Sequence, residues 1–266
     1  MAILIFLVLH WYLALFFQSF FHHRYAAHRN CSMSPAMEKV FHVCCFLTQG
    51  SSYISAASYG IMHRIHHAHT DTDEDPHSPH ITPNPFAMLW YTRNSYFNIY
   101  IGKTAVAEKY KKNLPHWEAF DRIAHTPYAR IAWALVYIAL YWWLATAWWQ
   151  WLFLPLTMTM SATQGMIVNW WAHKFGYETF KMKNTSKNIL PLDVLFVGEA
   201  YHNNHHKHPT RANNAMKWYE LDLTYLIMKG MHAVGLIQLR GTKKYQPAMA
   251  VAQTAEKQQA PEEAVW

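Results

Sequence analysis

The hydrophobic pattern divides the chain into long apolar stretches and polar connections. Residues 1–21 contain no Asp, Glu, Lys or Arg, and at about 1.5 Å per residue such a helix crosses a hydrocarbon core of about 30 Å. Residues 131–172 also lack formal charge and are about twice as long as one crossing requires. Pro155 and neighbouring tryptophans predict a hairpin there, with spans at about 131–150 and 152–172. The pattern predicts an all-α integral membrane protein.

Two other segments have a mixed composition. Residues 36–60 are apolar but carry Glu38, Lys39 and a polar run that begins at Gln49, so their composition alone leaves open whether they cross the membrane or lie embedded in it without crossing. Residues 243–266 are rich in Ala, Gln, Lys and Glu without an apolar period, which predicts a disordered tail. The N-terminal apolar segment has neither the basic start nor the small-residue cleavage site of a signal peptide, so a retained span is favoured.

Histidine is the residue type that changes this picture, since the chain contains 19 of them. Clusters at 63–67 and 202–206 share the spacing i, i+3, i+4, which on a helix keeps three imidazoles within an arc of about 100°. His23 and His28 lie about 140° apart on an ideal α-helix, so they converge only if the helix ends or bends between them. Imidazole is a common metal ligand. The eight candidate ligands are His23, His28, His63, His66, His67, His202, His205 and His206.

Other polar residues near the clusters have weaker support. Five histidines are expected beside the site or on the surface: His22, His69, His77, His80 and His208. Four carboxylates are candidate partners for imidazole N–H groups, and a solvated loop role is as plausible for each: Asp71, Asp75, Asp193 and Glu199. Nitrogen ligands alone admit Zn, Cu, Fe or Ni, so the metal stays open at this point.

Composition and charge exclude several classes of protein. The chain is 52% hydrophobic and 15% charged, which excludes a disordered protein. Three cysteines without a CxxC pair indicate neither a disulfide framework nor a cysteine zinc ribbon. The net charge of +7 (His neutral) fits anionic headgroups or acyl-carrier phosphates. It equally fits the positive-inside rule alone, and no motif indicates nucleic acid.

The boxes HX4H, HX2HH and HX2HH, in this order and separated by apolar hairpins, resemble those of the membrane fatty acid desaturases. The similarity covers about residues 10–212 and is greatest to the Δ9 acyl-CoA branch. The resemblance implies a membrane desaturase domain over 1–242, with a non-haem di-iron centre in a cap at the cytosolic face. It also implies a ninth ligand at His173, with Asn169 acting through a water, because Asn169-Trp-Trp-Ala-His173 matches the family's N-x-x-x-H element.

Topology follows from the metal site. Ligands of one bimetallic centre must open on one side of the membrane, so residues 36–60 either do not cross it or cross it twice. A segment of 25 residues is too short for two crossings. The segment is therefore predicted to be embedded without spanning the membrane, which leaves three spans and an N-terminus outside. Basic residues flank the boxes and favour the cytoplasmic side. These residues are Arg24, Arg29, Lys174 and Lys181.

The resemblance implies an O2-dependent enzyme that introduces a cis double bond, at Δ9, into a long acyl chain on CoA or lipid. Ile61-Met62 replaces a charged pair of animal acyl-CoA relatives, so the carrier stays open. With no haem domain fused, electrons are expected from a separate cytochrome b5-like or ferredoxin-like donor. Two alternatives remain: a histidine-box di-iron hydroxylase of a lipid or alkane, and a membrane metal-binding or transport protein.

Overall fold

The computed structural model describes residues 1–242, so the predicted tail at 243–266 lies outside the described residues. The described chain is mostly helical, which confirms the predicted helical class. Its α-helices are α1 (Ala2–Phe17), α2 (Pro35–Gln49), α3 (Ala56–His69), α4 (Pro85–Tyr100), α5 (Glu108–Lys111), α6 (Glu118–Ala124), α7 (Pro127–Leu144), α8 (Leu154–Met158), α9 (Met160–Trp171), α10 (His202–Lys207) and α11 (Leu223–Ala233).

Other short elements connect these helices. A π-helix (Gln18–Ala27) continues α1, and 3₁₀ turns cover Gly50–Ser52 and Trp148–Phe153. Strands β1 (Cys31–Ser32) and β2 (Gln238–Leu239) pair antiparallel, with Cys31 opposite Leu239. This two-residue pairing attaches the chain after α11 to the segment that follows the π-helix.

The predicted spans correspond to helices with shifted ends. α1 and the π-helix form one 26-residue helix, Ala2–Ala27, which is the one helix within residues 1–242 that is long and apolar enough to cross a membrane. The predicted span at 131–150 overlaps α7, which ends at Leu144. The span at 152–172 is divided into α8 and α9 at Thr159, whose φ is −113°. These two spans therefore stay predictions.

The segment expected to be embedded, 36–60, consists of α2, a 3₁₀ turn and the start of α3. Ser34 caps α2, because its side chain accepts a hydrogen bond from Met37 N, and Pro35 occupies the first turn. The α-helical conformation of α2 ends before Gly50, whose φ is +54°. A Cβ there would lie 1.8 Å from Tyr137 Oη, so α7 approaches this turn closely.

α3 packs against the π-helix at a position without a side chain. A Cβ on Gly60 would lie 3.2 Å from the Ala26 carbonyl oxygen and 2.8 Å from Leu114 Cδ2. An aromatic core lies on the other side of the π-helix, where Phe20 and Phe21 are fully buried and Met228 of α11 joins them. Close packing of these backbones brings the first two histidine boxes together.

We expect Gly60→Val to destabilise the protein, because the larger side chain must push α3 away from the π-helix. Overpacking of this kind costs about 1–3 kcal/mol. The matched control is Gly230→Val in α11, where an added Cβ meets nothing within 4 Å. Thermal unfolding in detergent measures both variants, and equal melting temperatures would contradict the proposed close approach.

Candidate metal centre

The π-helix places the two histidines of the first box on one face. The His28 backbone N–H donates to the His23 carbonyl at 3.2 Å, a hydrogen bond between residues five apart. Such i→i+5 bonds define π-helices, which often occur at functional sites. The two imidazole ring centres are consequently 5.0 Å apart. Convergence of this box therefore results from a wider helix rather than from a bend.

The second and third boxes each divide their histidines between two groups. α3 contributes His63 and His67, one turn apart, to the first group, and His66 to the second. α10 does the reverse, because His202 and His206 join the second group and His205 joins the first. Each helix therefore contacts both groups, and the two groups lie side by side.

All nine histidines singled out by the sequence belong to these two groups. The five-histidine group consists of His23, His28, His63, His67 and His205. The four-histidine group consists of His66, His173, His202 and His206. Within each group, potential ligand atoms lie within 4.8 Å of one another.

Distances between ring nitrogens test whether a metal ion fits. In the five-histidine group, Nε2 of His23 and His205 are 3.0 Å apart, and Nε2 of His205 and His67 are 2.9 Å apart. In the four-histidine group, Nε2 of His173 and His202 are 3.1 Å apart, and the His66–His206 distance is 3.2 Å. When two nitrogen ligands each lie about 2.1 Å from one metal ion and the angle between the two bonds is a right angle, the nitrogens are about 3.0 Å apart. Both groups fit a bound cation.

Carboxylates hold the outer nitrogen of one imidazole from each of three segments. His23 Nδ1 lies 2.7 Å from Glu199, and His66 Nδ1 lies 2.9 Å from Asp75. His173 Nδ1 lies 3.2 Å from Asp71. An N–H donated from Nδ1 leaves the Nε2 lone pair directed at the centre of the group, which is the tautomer that metal binding requires.

Two other candidates occupy different surroundings. The Asp193 carboxylate accepts hydrogen bonds from the backbone N–H groups of Phe196, Gly198 and Ala200, so it organises the loop before the third box instead of contacting an imidazole. The Asn169 side-chain amide donates to the Gly165 carbonyl at 2.8 Å. The structure therefore differs from the expected role of Asp193, and the water-mediated role of Asn169 stays a prediction.

Burial shifts the pKa values of several ionisable groups at the centre. It lowers the pKa of His66 and of His202 well below the usual value for imidazole, and the neighbouring imidazoles lower it further. Burial also raises the pKa of Asp75 to about 6. Burial alone would raise the pKa of Asp71, but hydrogen bonds from His173 and Thr185 outweigh it and lower that pKa. These shifts favour the neutral form of His66 and His202, which is the form of imidazole that binds metal.

Arg64, which the sequence analysis missed, connects the second histidine box to the first by hydrogen bonds. Its Nε and Nη2 donate to the carbonyls of Ala27 and Ala26 at 2.8 and 2.9 Å. Its Nη1 donates to the carbonyls of Tyr110 and Lys112. The end of a helix leaves carbonyls without partners, and a guanidinium with five donors satisfies several at once. The position of Arg64 inside the second box was the available signal.

The asparagines of the third box were also missed, although they stand between its histidines. Asn203 accepts hydrogen bonds from the backbone N–H groups of Thr179 and Phe180 and donates to the Ser186 carbonyl. Asn204 donates to Glu220 at 2.9 Å. α10 has only six residues, so these bonds to surrounding loops, rather than helix length, hold its histidines in place.

A buried ion network supports the five-histidine group. Arg24 is 1% exposed and contacts Glu199 at 2.6 Å and Asp222 at 2.8 Å. Glu199 is the carboxylate that holds His23, and Asp222 caps α11 by accepting from Tyr225 N. The network therefore connects a histidine of the centre to the beginning of α11.

A cavity of about 470 Å³ reaches the centre. His23, His63 and His202 line it, together with Asn169. Further along, α4 and α9 line it with mainly apolar side chains, among them Met88, Leu89, Phe97, Ala162 and Met166. His77 also lies in the wall, 2% exposed, and its ring centre is 4.1 Å from that of His66. A narrow apolar space beside a metal site can hold a hydrocarbon chain.

The sequence is similar to those of known proteins. Residues 1–236 match the Fatty acid desaturase family. The chain is 27% identical over 215 residues to Delta-9 acyl-lipid desaturase 1 of Arabidopsis thaliana, which covers 81% of this chain and 67% of that protein. It is 27% identical over 216 residues to sn-1 stearoyl-lipid 9-desaturase of Synechocystis sp., and the aligned region covers 80% of this chain and 64% of that protein. It is 29% identical over 223 residues to Delta-9 desaturase-like 2 protein of Arabidopsis thaliana, and the aligned region covers 82% of this chain and 70% of that protein.

The chain therefore belongs to the fatty acid desaturase family, which confirms the predicted family and its class of oxidoreductase. It spans about two thirds of the length of these relatives.

We expect Arg24→Met to destabilise the protein strongly, because it leaves the Glu199 and Asp222 carboxylates buried without their cation. Breaking a buried pair in this way costs about 3–5 kcal/mol. The control Arg122→Met removes an exposed pair with Glu118 and is expected to cost at most about 1 kcal/mol. Thermal unfolding in detergent compares them, and similar losses for both would contradict the role of the buried network.

Proposed function

We propose that this protein is an O2-dependent desaturase that introduces a cis double bond into a long acyl chain of a membrane lipid. The observation that carries the proposal is the convergence of nine imidazoles into two adjacent groups at the end of an apolar cavity. The names of the similar proteins support Δ9 as the position and a lipid as the acyl carrier. The net reaction converts –CH2–CH2–, O2, two electrons and two protons into –CH=CH– and two waters.

The proposed cofactor is a pair of non-haem irons, one in each histidine group. Bound irons would supply the O2-derived oxidant that removing hydrogen from an unactivated methylene requires. The nine histidines hold and tune the metals, and Asp71, Asp75 and Glu199 orient three of them through Nδ1. Asn169, in the cavity wall, is proposed to act on the four-histidine group through a water.

The cavity supports an acyl substrate and the exclusion of water. Met62, Met88 and Met166 line it beside the histidines, and flexible thioethers adapt to a hydrocarbon chain. Arg93 lies at the exposed edge, stacked 4.8 Å from the Trp90 ring centre and 4.7 Å from that of Phe97. We propose that the methylenes of the chain occupy the apolar part while the carrier stays near this edge.

Exposed apolar side chains support an integral membrane protein. On α1, Ile5 and Leu9 are 57% and 56% exposed, and on α7, Leu135 and Trp142 are 60% and 82% exposed. Large exposed apolar surfaces mark sites of contact with other proteins or with a membrane, and the apolar N-terminal helix favours a membrane here. We propose three spans with the histidine groups near the cytoplasmic membrane face, because His23 and His28 lie at the end of the long N-terminal helix.

Two alternatives predict different products or positions. A histidine-box hydroxylase would insert oxygen into the chain instead of removing a second hydrogen. A metal transporter would place its ligands near the middle of the spans, whereas His23, His28 and His173 lie at or beyond helix ends. The position of the ligands favours an enzyme over a transporter, and product analysis separates the two reactions.

Expression in a host that lacks monounsaturated lipids tests the reaction. We expect new cis double bonds in its lipids, whereas hydroxylated chains would support the hydroxylase. If neither product forms when iron and an electron donor are supplied, that result would contradict both the desaturase and the hydroxylase reaction. His66→Ala is expected to abolish the product and to lower the metal content of the purified protein from two per chain. A full metal content in this variant would contradict ligation by His66.

Gly165→Phe tests the cavity separately from the metals. Gly165 lines the cavity, and the atom nearest to a Cβ added there would be Gln18 Nε2, at 3.4 Å. An alanine therefore fits at this position, whereas a phenylalanine side chain would project into the cavity. We expect Gly165→Phe to lose at least about 90% of the product, by analogy with blocking a preformed pocket, with unchanged metal content. Gly165→Ala is the matched control and should retain activity. Equal activity of the two variants would place the acyl chain elsewhere.

A further inference from the structure

The part of the cavity wall that α9 forms is not uniformly apolar. Ser161 and Gln164 line the cavity and are 2% and 0% exposed. Within residues 1–242, neither Ser161 Oγ nor Gln164 Oε1 has a hydrogen-bond partner. Residues three apart lie on the same face of an α-helix, so these two polar atoms belong to one part of the wall. Because a buried polar group without a partner is costly, the pair indicates a polar ligand.

The surrounding hydrogen bonds determine what each side chain can still do. Gln164 Nε2 donates to the Trp11 carbonyl at 2.8 Å, so the amide is oriented and its oxygen remains an acceptor. The Ser161 backbone N–H donates to Ser52 Oγ at 3.2 Å, and the Ser52 hydroxyl donates to the Gln49 carbonyl. Serines in helices often bond to the carbonyl four residues earlier, but the Ser161 hydroxyl does not. It can therefore both donate and accept.

One neutral hydroxyl group complements this pair. Its O–H can donate to Gln164 Oε1, and its oxygen can accept from the Ser161 hydroxyl. A carbonyl or carboxylate oxygen offers no proton to Gln164 Oε1. An ammonium group would need a buried carboxylate as a partner, and α9 carries none.

Two other polar atoms of the cavity wall are without a partner in the part of the chain that the structure describes. They are Gln18 Oε1 and Thr92 Oγ1. Both residues are only half-buried, whereas Ser161 and Gln164 are enclosed. The enclosed pair is therefore the stronger candidate for a binding site.

The pair lies at a distance from the histidine groups that an acyl chain can span. Asn169, one turn before His173, is the residue of α9 nearest to His173 that lines the cavity. Gln164 and Ser161 precede Asn169 by five and eight residues, which correspond to about 8 and 12 Å along the helix. A hydroxyl bound by the pair would lie several carbons from methylenes beside the histidines.

We propose that Ser161 and Gln164 bind a hydroxyl group carried by the acyl chain, several carbons from the bond that is desaturated. The inference rests on the proposed function, because it concerns the chain that the same cavity holds. It gives the enzyme a preference for hydroxylated chains. An unsubstituted chain would cover both polar atoms without pairing them, and sites that bond a substrate hydroxyl discriminate strongly against analogues that lack it.

Binding of matched lipids to the purified full chain tests the proposal without requiring turnover. The probes are phosphatidylcholines that carry a stearoyl chain or a hydroxystearoyl chain, with the hydroxyl at successive positions on either side of the middle of the chain. We expect a few adjacent hydroxyl positions to bind at least about tenfold more tightly than stearoyl, because only these reach the pair. Ser161→Ala should remove most of this preference, since it deletes the hydroxyl without adding volume.

Thr163→Ala is the matched control, because it removes from α9 a hydroxyl that bonds to Thr159 and lies outside the lining of the cavity. Equal affinity for every chain would mean that water alone occupies the pair and would overturn the proposal. So would a preference that survives Ser161→Ala or is lost equally in Thr163→Ala. A hydroxyl preference without any desaturated product would contradict the proposed function and leave the hydroxyl site standing. Desaturation of stearoyl lipid without a preference would do the reverse.

Discussion

The main constraint on the structure is that nine imidazoles meet in two buried groups. Within each group, the nearest ring nitrogens are only about 3 Å apart. Unprotonated nitrogens at that distance repel unless a cation lies between them, and burial already disfavours protonation of His66 and His202. Buried polar groups without compensation are costly. The proposed metal ions on the inner nitrogens would resolve this conflict, and carboxylates contact the outer nitrogens of His23, His66 and His173. Metal binding would require the surrounding elements to hold each ring in one orientation.

Three devices provide that orientation, and each acts on a different box. The π-helix places His23 and His28 on one face through an i→i+5 hydrogen bond. The Arg64 guanidinium joins the end of that helix to α3. The Asn203 and Asn204 side chains hold the six-residue α10 to neighbouring loops. Short helices and a wide helix are intrinsically weak, so tertiary hydrogen bonds rather than local propensity position the ligands.

The histidine groups border the cavity that is proposed to bind the acyl chain. The cavity wall contains His23, His63 and His202 and is otherwise mainly apolar, which suits a hydrocarbon chain. Away from the lining residues of the cavity, His67 of the five-histidine group stacks on His206 of the four-histidine group. Because two of the boxes contribute to both histidine groups, neither group can move independently of the other.

The spacing of the histidines predicted eight of the converging residues, because metal ligation restricts both residue type and spacing, and the resemblance carried by these boxes added the family and His173. The apolar pattern predicted the helical class. Local pattern could not determine which group each histidine joins, since that depends on how α3 and α10 face each other. It also could not assign Asp193, whose carboxylate organises a loop instead of an imidazole. Nor could it reveal Arg64 or Arg24, because their partners are distant in sequence and meet only when the chain packs.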